Sequence, residues 1–124
     1  MKGVNPGVIY AAISGYGQEG PLRDRVGHDL NYLAAAGVLQ LTGDPNGPPA
    51  IPGVPLADGL AGVSAALNVI AALWRRAQTG QGCYLDIAIA DGPAFLMAME
   101  YEAASPADGG CLGRAAARNP SAER

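Results

Sequence analysis

Lysine is nearly missing from this chain. Lys2 is the only one in 124 residues, and eleven acids outnumber eight lysines and arginines, for a formal charge of −3. Such a surface cannot neutralise a run of phosphates, which argues against nucleic acid as a partner. Histidine occurs once, at His28, and cysteine twice, at Cys83 and Cys111, with no CxxC spacing. Neither a zinc site nor a disulfide framework follows from that set, and a reducing, cytoplasmic setting fits it. Long apolar runs are scarce as well. The longest weakly polar stretch, 59–74, is sixteen residues and contains Ser64 and Asn68, short of the roughly 20 that a spanning helix needs, so no membrane is expected as a partner. The first residues, Met1 to Gly7, hold no apolar segment of the secretory type.

What is present is the making of an interior. Apolar residues reach 49% against 15% charged, the balance of a folded chain. The length suffices for one compact unit, or for a piece of something larger.

Val8-Ile9-Tyr10-Ala11-Ala12-Ile13 is a short apolar run between Pro6-Gly7 and a glycine-rich turn, and it reads as a buried strand. From Asp29, positioned as an N-cap, Leu30, Leu33, Ala34 and Val38 recur at helical spacing over about three turns. Five of the ten prolines then fall between Gly43 and Pro55, a segment that can be neither helix nor central strand. Leu60, Val63, Leu67, Ile70 and Trp74 step by three and four along one helical stripe, with Asp58 at its start and Arg75-Arg76 before a stop at Gly80. Cys83, Leu85, Ile87 and Ile89 alternate as a strand does, placing Asp86 in that alternation, and Asp91-Gly92-Pro93 caps a last helix. The order predicts an α/β fold with helices packed on a mostly parallel sheet. Periodicity ends near Glu102, so 1–102 reads as the folded segment and 103–124 as a disordered tail.

Gly15-Tyr16-Gly17-Gln18-Glu19-Gly20 spells GxGxxG after a predicted strand. A dinucleotide site needs that motif to open a helix, whereas Pro21 and Arg23-Asp24-Arg25 follow with no apolar period, so it reads as a turn. His28 and Asp58 each stand at a loop-to-helix junction, thirty residues apart. Histidine there can act as an acid or base or be merely structural, and an aspartate there can be a catalyst or an N-cap. Arg75 and Arg76 read as cations complementing a helix C-terminus, with a grip on phosphate as the alternative.

The strings Asn5-Pro6, Ile9-Tyr10, Ile13-Ser14-Gly15-Tyr16-Gly17-Gln18, Gly20-Pro21, Arg23-Asp24-Arg25, Gly27-His28-Asp29-Leu30-Asn31-Tyr32 and Thr79-Gly80-Gln81-Gly82 resemble the α-methylacyl-CoA racemase branch of the class III CoA-transferase family. The resemblance covers roughly residues 4–99. It implies an internal piece of a Rossmann-like large domain, in a longer protein with a second domain and an interlocked homodimer. It further implies an acyl-CoA substrate, with coenzyme A as part of it and no metal or other cofactor. His28 and Asp58 would be the acid/base pair on opposite faces of the substrate α-carbon. Asp29, Asn31, Tyr32 and Gly59 would bind substrate, and backbone N–H groups at the His28-Asp29 junction could face an enolate oxygen. In the transferase branch the aspartate matching Asp58 is instead a nucleophile that accepts the acyl group, and histidine tends to be absent from the Gly27-His28-Asp29 context. A truncated, non-catalytic remnant is the third reading.

Overall fold

The computed structural model describes residues 3–103. Of the tail expected from residue 103 onward, only Ala103 is among the described residues, and Cys111 lies outside them. The chain forms β1 (Ile9–Ser14), α1 (Asp29–Ala35), α2 (Val38–Leu41), α3 (Leu56–Thr79), β2 (Cys83–Ala88), α4 (Asp91–Leu96) and α5 (Ala98–Ala103). This is the α/β architecture that the residue pattern predicts.

The strands pair in parallel from Ile9 with Cys83 to Ser14 with Ala88. Parallel neighbours need a crossover, and here α3 is its longest part. Two further bonds zip the strand ends together: Ile89 N–H donates to the Ser14 carbonyl (2.8 Å) and Ala90 N–H to that of Gly15 (3.0 Å). Both strands therefore end side by side, where α/β folds place their ligands. The glycine-rich turn follows β1 without opening a helix, and Gly17 and Gly20 take positive φ. Its closure is side-chain work, for Gln18 N–H donates to Asp86 Oδ2 at 2.8 Å. Asp86 is thus on the exposed side of β2 rather than facing the core.

The helix expected from Asp29 over three turns is interrupted. Ala36 and Gly37 separate α1 from α2, and Gly37 sits at φ +81°, in the left-handed region that ends a helix. His28, not Asp29, is the N-cap of α1. The last helix also divides, into α4 and α5, with Asp91 as the first residue of α4 and Ala90 as its N-cap. No helix or strand forms in the proline-rich segment, where Gly43 and Pro49 make an isolated bridge.

Leu33 is completely buried, and with Tyr32 and Ala57 it forms the described core, flanked by Tyr16, Leu56 and Ile89. The core therefore lies under the strand ends, between α1 and the first turn of α3. Only small residues of α3 are buried, Ala57, Ala61 and Ala72. Its large stripe points away: Leu67 and Ile70 are each 63% exposed and Trp74 72%. Phe95 and Met99 add to the open apolar surface.

At 24 residues, α3 is longer than the sixteen-residue stretch suggests, because Leu56–Asp58 and Arg75–Thr79 extend it at either end. By length and composition it could cross a membrane. Its placement is that of a packed helix, with α1, α4 and both strands against it. At its end Gly80 takes φ +69° and donates to the Arg76 carbonyl, closing the helix as expected.

An apolar stripe of this size, left open beside an unpaired sheet edge, drives association. The chain expressed alone should elute in size-exclusion chromatography as a self-associated species. Leu67→Glu with Ile70→Lys, which leaves the alanine face intact, should shift it toward monomer.

Candidate active site

The first turn of a helix leaves its amides without internal partners, and α3 starts behind Pro55, whose side chain has no oxygen to offer. The acceptor comes from the other helix. Asp29 Oδ1 accepts from Ala57 N–H at 2.5 Å and from Asp58 N–H at 3.2 Å. The aspartate expected to cap α1 thus caps α3, and Asp58, expected to cap α3, is instead the third residue of its first turn. Both carboxylates sit where the helix dipole favours negative charge. This bridge ties His28, the residue before Asp29, to the turn that bears Asp58.

His28 is itself held in place. Its backbone is extended (φ −127°, ψ 174°), and its N–H donates to Asn31 Oδ1 at 2.9 Å, one half of a capping box. Its carbonyl receives the N–H groups of Asn31 and Tyr32, at 2.8 and 3.4 Å. Of the amides at the His28-Asp29 junction expected to face an enolate oxygen, that of His28 is therefore already engaged. The side chains of His28 and Asp58 belong to exposed residues.

Tyr32 holds the floor of the site. Its hydroxyl donates to the Gly27 carbonyl at 2.7 Å, and Tyr16 packs edge-on against its ring with centroids 5.2 Å apart. Burial first, then the Tyr16 phenol and the Asp58 carboxylate, push the Tyr32 phenol above its ordinary value, so it keeps the proton it donates. The ring leaves no room for a side chain at two turns. A Cβ on Gly15 would stand 2.6 Å from the Tyr32 oxygen, and one on Gly27 2.9 Å from its Cε1.

The expected site residues thus fall into two groups. His28, Asp29, Asn31, Tyr32 and Asp58 come together at the α1–α3 junction, with Asn31 and Tyr32 bonded to backbone at His28 and Gly27. Gly59 lies exposed in the same first turn of α3, and a Cβ there would meet nothing within 4 Å. Arg76 is in the last turn of α3, and its Nη1 donates to the Gly7 carbonyl at 3.3 Å, tying that end of the helix to the segment before β1.

Sequence reading gives one neighbour of this junction no role of its own. Arg25 lines a groove of about 560 Å³ together with Gly15, Gly27, His28, Asn31 and Tyr32. In the sequence it is visible only as part of the string Arg23-Asp24-Arg25.

The chain matches the family model described as CoA-transferase family III over residues 1–123. It is 40% identical over 97 residues to the succinyl-CoA–D-citramalate CoA-transferase of Chloroflexus aurantiacus, covering 78% of this chain and 24% of that protein. It is 43% identical over 93 residues to the human alpha-methylacyl-CoA racemase, covering 74% and 24% respectively. Among solved structures, a CAIB/BAIF family protein from Brucella suis superposes with a TM-score of 0.81 at 34% identity, over 91% of this chain and 30% of that one. The chain spans about a quarter of the length of the curated relatives it matches.

Two measurements test the junction. Asp29→Ala should cost about 1–2 kcal/mol, the usual price of a lost cap, and should accelerate amide exchange at Ala57 and Asp58 in particular, with Asp29→Asn in between. Tyr32→Phe should cost about 1 kcal/mol at neutral pH. The folded phenol titrates above its unfolded value near 10, so the contribution is complete below that pH and is lost as pH climbs through the folded value. The variant's alkaline unfolding should therefore be shallower than that of the wild type.

Proposed function

The chain belongs to CoA-transferase family III, and on that footing we propose that it is the acid/base segment of an acyl-CoA racemase acting on 2-methylacyl thioesters. The observation that carries this reading is the Asp29 bridge, which joins the neighbour of His28 to the amide of Asp58. In the proposed reaction the His28 imidazole removes the α-proton from one face. The electron pair of the C–H bond then delocalises onto the thioester oxygen as an enolate. Protonated Asp58 returns a proton to the opposite face, leaving His28 charged and Asp58 ionised, and the reverse direction exchanges the roles. No electrons are gained or lost, so the chemistry asks for no redox group. Coenzyme A enters with the substrate.

The exposure of both side chains bears on where this happens. General acid–base catalysis at a weakly acidic carbon needs water excluded and donors fixed around the developing charge. With about three quarters of the relatives' length beyond this chain, that cover is proposed to come from the rest of the protein and from a second subunit. The isolated chain should not racemise acyl-CoA.

A CoA transferase is the competing reading, favoured by the 40% identity to the Chloroflexus enzyme. There Asp58 would attack the thioester as a nucleophile, releasing the CoA thiolate and forming a mixed anhydride. His28 favours the racemase, because a transferase has no use for a base on the far side of the α-carbon.

The test uses the whole protein, meaning this chain with the coding sequence that adjoins it. Deuterium exchange at the α-carbon of a 2-methylacyl-CoA should fall about 10²–10⁴-fold in His28→Ala and in Asp58→Ala. Undiminished exchange in His28→Ala would overturn the assignment. Hydroxylamine capture of an acyl group on Asp58, without exchange, would establish the transferase.

A further inference from the structure

Arg25 is among the residues that line the groove beside His28, together with Asn31 and Tyr32. The polar atoms of the last two are partly committed: Asn31 Oδ1 accepts from His28 N–H, which leaves its Nδ2 for a ligand, and the Tyr32 hydroxyl is bonded to Gly27. No carboxylate lines the groove. Asp24, adjacent to Arg25 in the chain, pairs with Arg23, whose Nε lies 3.3 Å from both its oxygens. Asp29 is turned onto the amides of α3. Arg25 therefore brings its charge to the groove without an acid to neutralise it, while the other arginine beside it has one.

A guanidinium offers parallel N–H bonds that match a carboxylate or a phosphate. We infer that Arg25 binds an anionic oxygen group of the substrate in the groove next to His28. The inference rests on the reading of this site as one for acyl-CoA. The anion has two possible sources, a carboxylate at the far end of the acyl chain or a phosphate of coenzyme A, and the chemistry of recognition is shared.

Calorimetric titration of the whole protein separates these, using succinyl-CoA, butyryl-CoA and the 3′-dephospho form of each. Succinyl and butyryl chains have equal carbon counts and differ in the terminal carboxylate. If the acyl carboxylate is the ligand, Arg25→Ala should weaken succinyl-CoA about tenfold, leave butyryl-CoA unchanged, and be partly restored by Arg25→Lys. If the 3′-phosphate is the ligand, Arg25→Ala should weaken both CoA thioesters alike and leave the dephospho forms unaffected, whereas if the pyrophosphate is the ligand all four should weaken alike. Unchanged affinity for all four overturns the inference, as does a lowered melting temperature with unchanged affinity, which would assign Arg25 to the protein's own packing. Because binding does not depend on the reaction that follows, absence of α-proton exchange with Arg25-dependent binding intact would remove the racemase and leave the anion subsite standing.

Discussion

Everything at the candidate site hangs on where one carboxylate oxygen points. Asp29 Oδ1 sits at the head of α3 and serves its first amides, a service that Pro55 at the N-cap position cannot perform. Because Asp29 is also the first residue of α1, the bond fixes the angle and depth at which the two helices meet. The core follows from that meeting, since Leu33 and Tyr32 of α1 close against Ala57 of α3. Tyr32 then supports the two glycine turns, 15 and 27, that shape the groove beside His28. A bond between helices thus does the work usually done by a cap within one, and it couples the stability of the junction to the geometry of the site.

Much of the fold is legible in the residues. The alternation from Cys83 and the apolar run from Val8 are both strands, displaced by a residue or so, because period two leaves few alternatives in short segments. The clustered prolines forbid regular structure wherever they fall. The misreadings share one cause. Asp29 and Asp58 both look like local caps, and helix-capping rules are rules about neighbours in sequence, whereas the partner of Asp29 is 28 residues away. Gly37 looks like a tolerated helical glycine until its φ of +81° shows that the chain turns there. At the site, the positions of His28 and Asp58 are readable as helix junctions, but the link between the two junctions is the Asp29 bridge, which no spacing encodes.

The stripe on α3 shows a different limit of periodicity. Hydrophobic spacing of three and four says that a helix has an apolar face, and the usual inference is that this face meets the nearest sheet. Here the helix buries Ala57, Ala61 and Ala72, small residues that permit close approach, and turns Val63, Leu67, Ile70 and Trp74 outward. Both faces are apolar, and the small one is the face that is buried. A helix apolar on two faces, with the larger one open, is consistent with the share of its relatives that this chain spans.

Relatives named for both chemistries match this segment about equally, at 40% and 43% identity. What builds the junction in this chain is the strand pair, the glycine turns against Tyr32, the Asp29 bridge and the small face of α3. None of these depends on whether the aspartate in the first turn of α3 attacks a carbonyl carbon or protonates the carbon beside it. Under the proposed function either role would place that carboxylate at this junction, and the choice between them would fall to His28, whose imidazole could supply a second proton carrier. The backbone at the N-cap of α1 is held through Asn31 and Tyr32, by bonds to the N–H and carbonyl of His28, so under the proposed function the geometry at position 28 rests largely on backbone bonds.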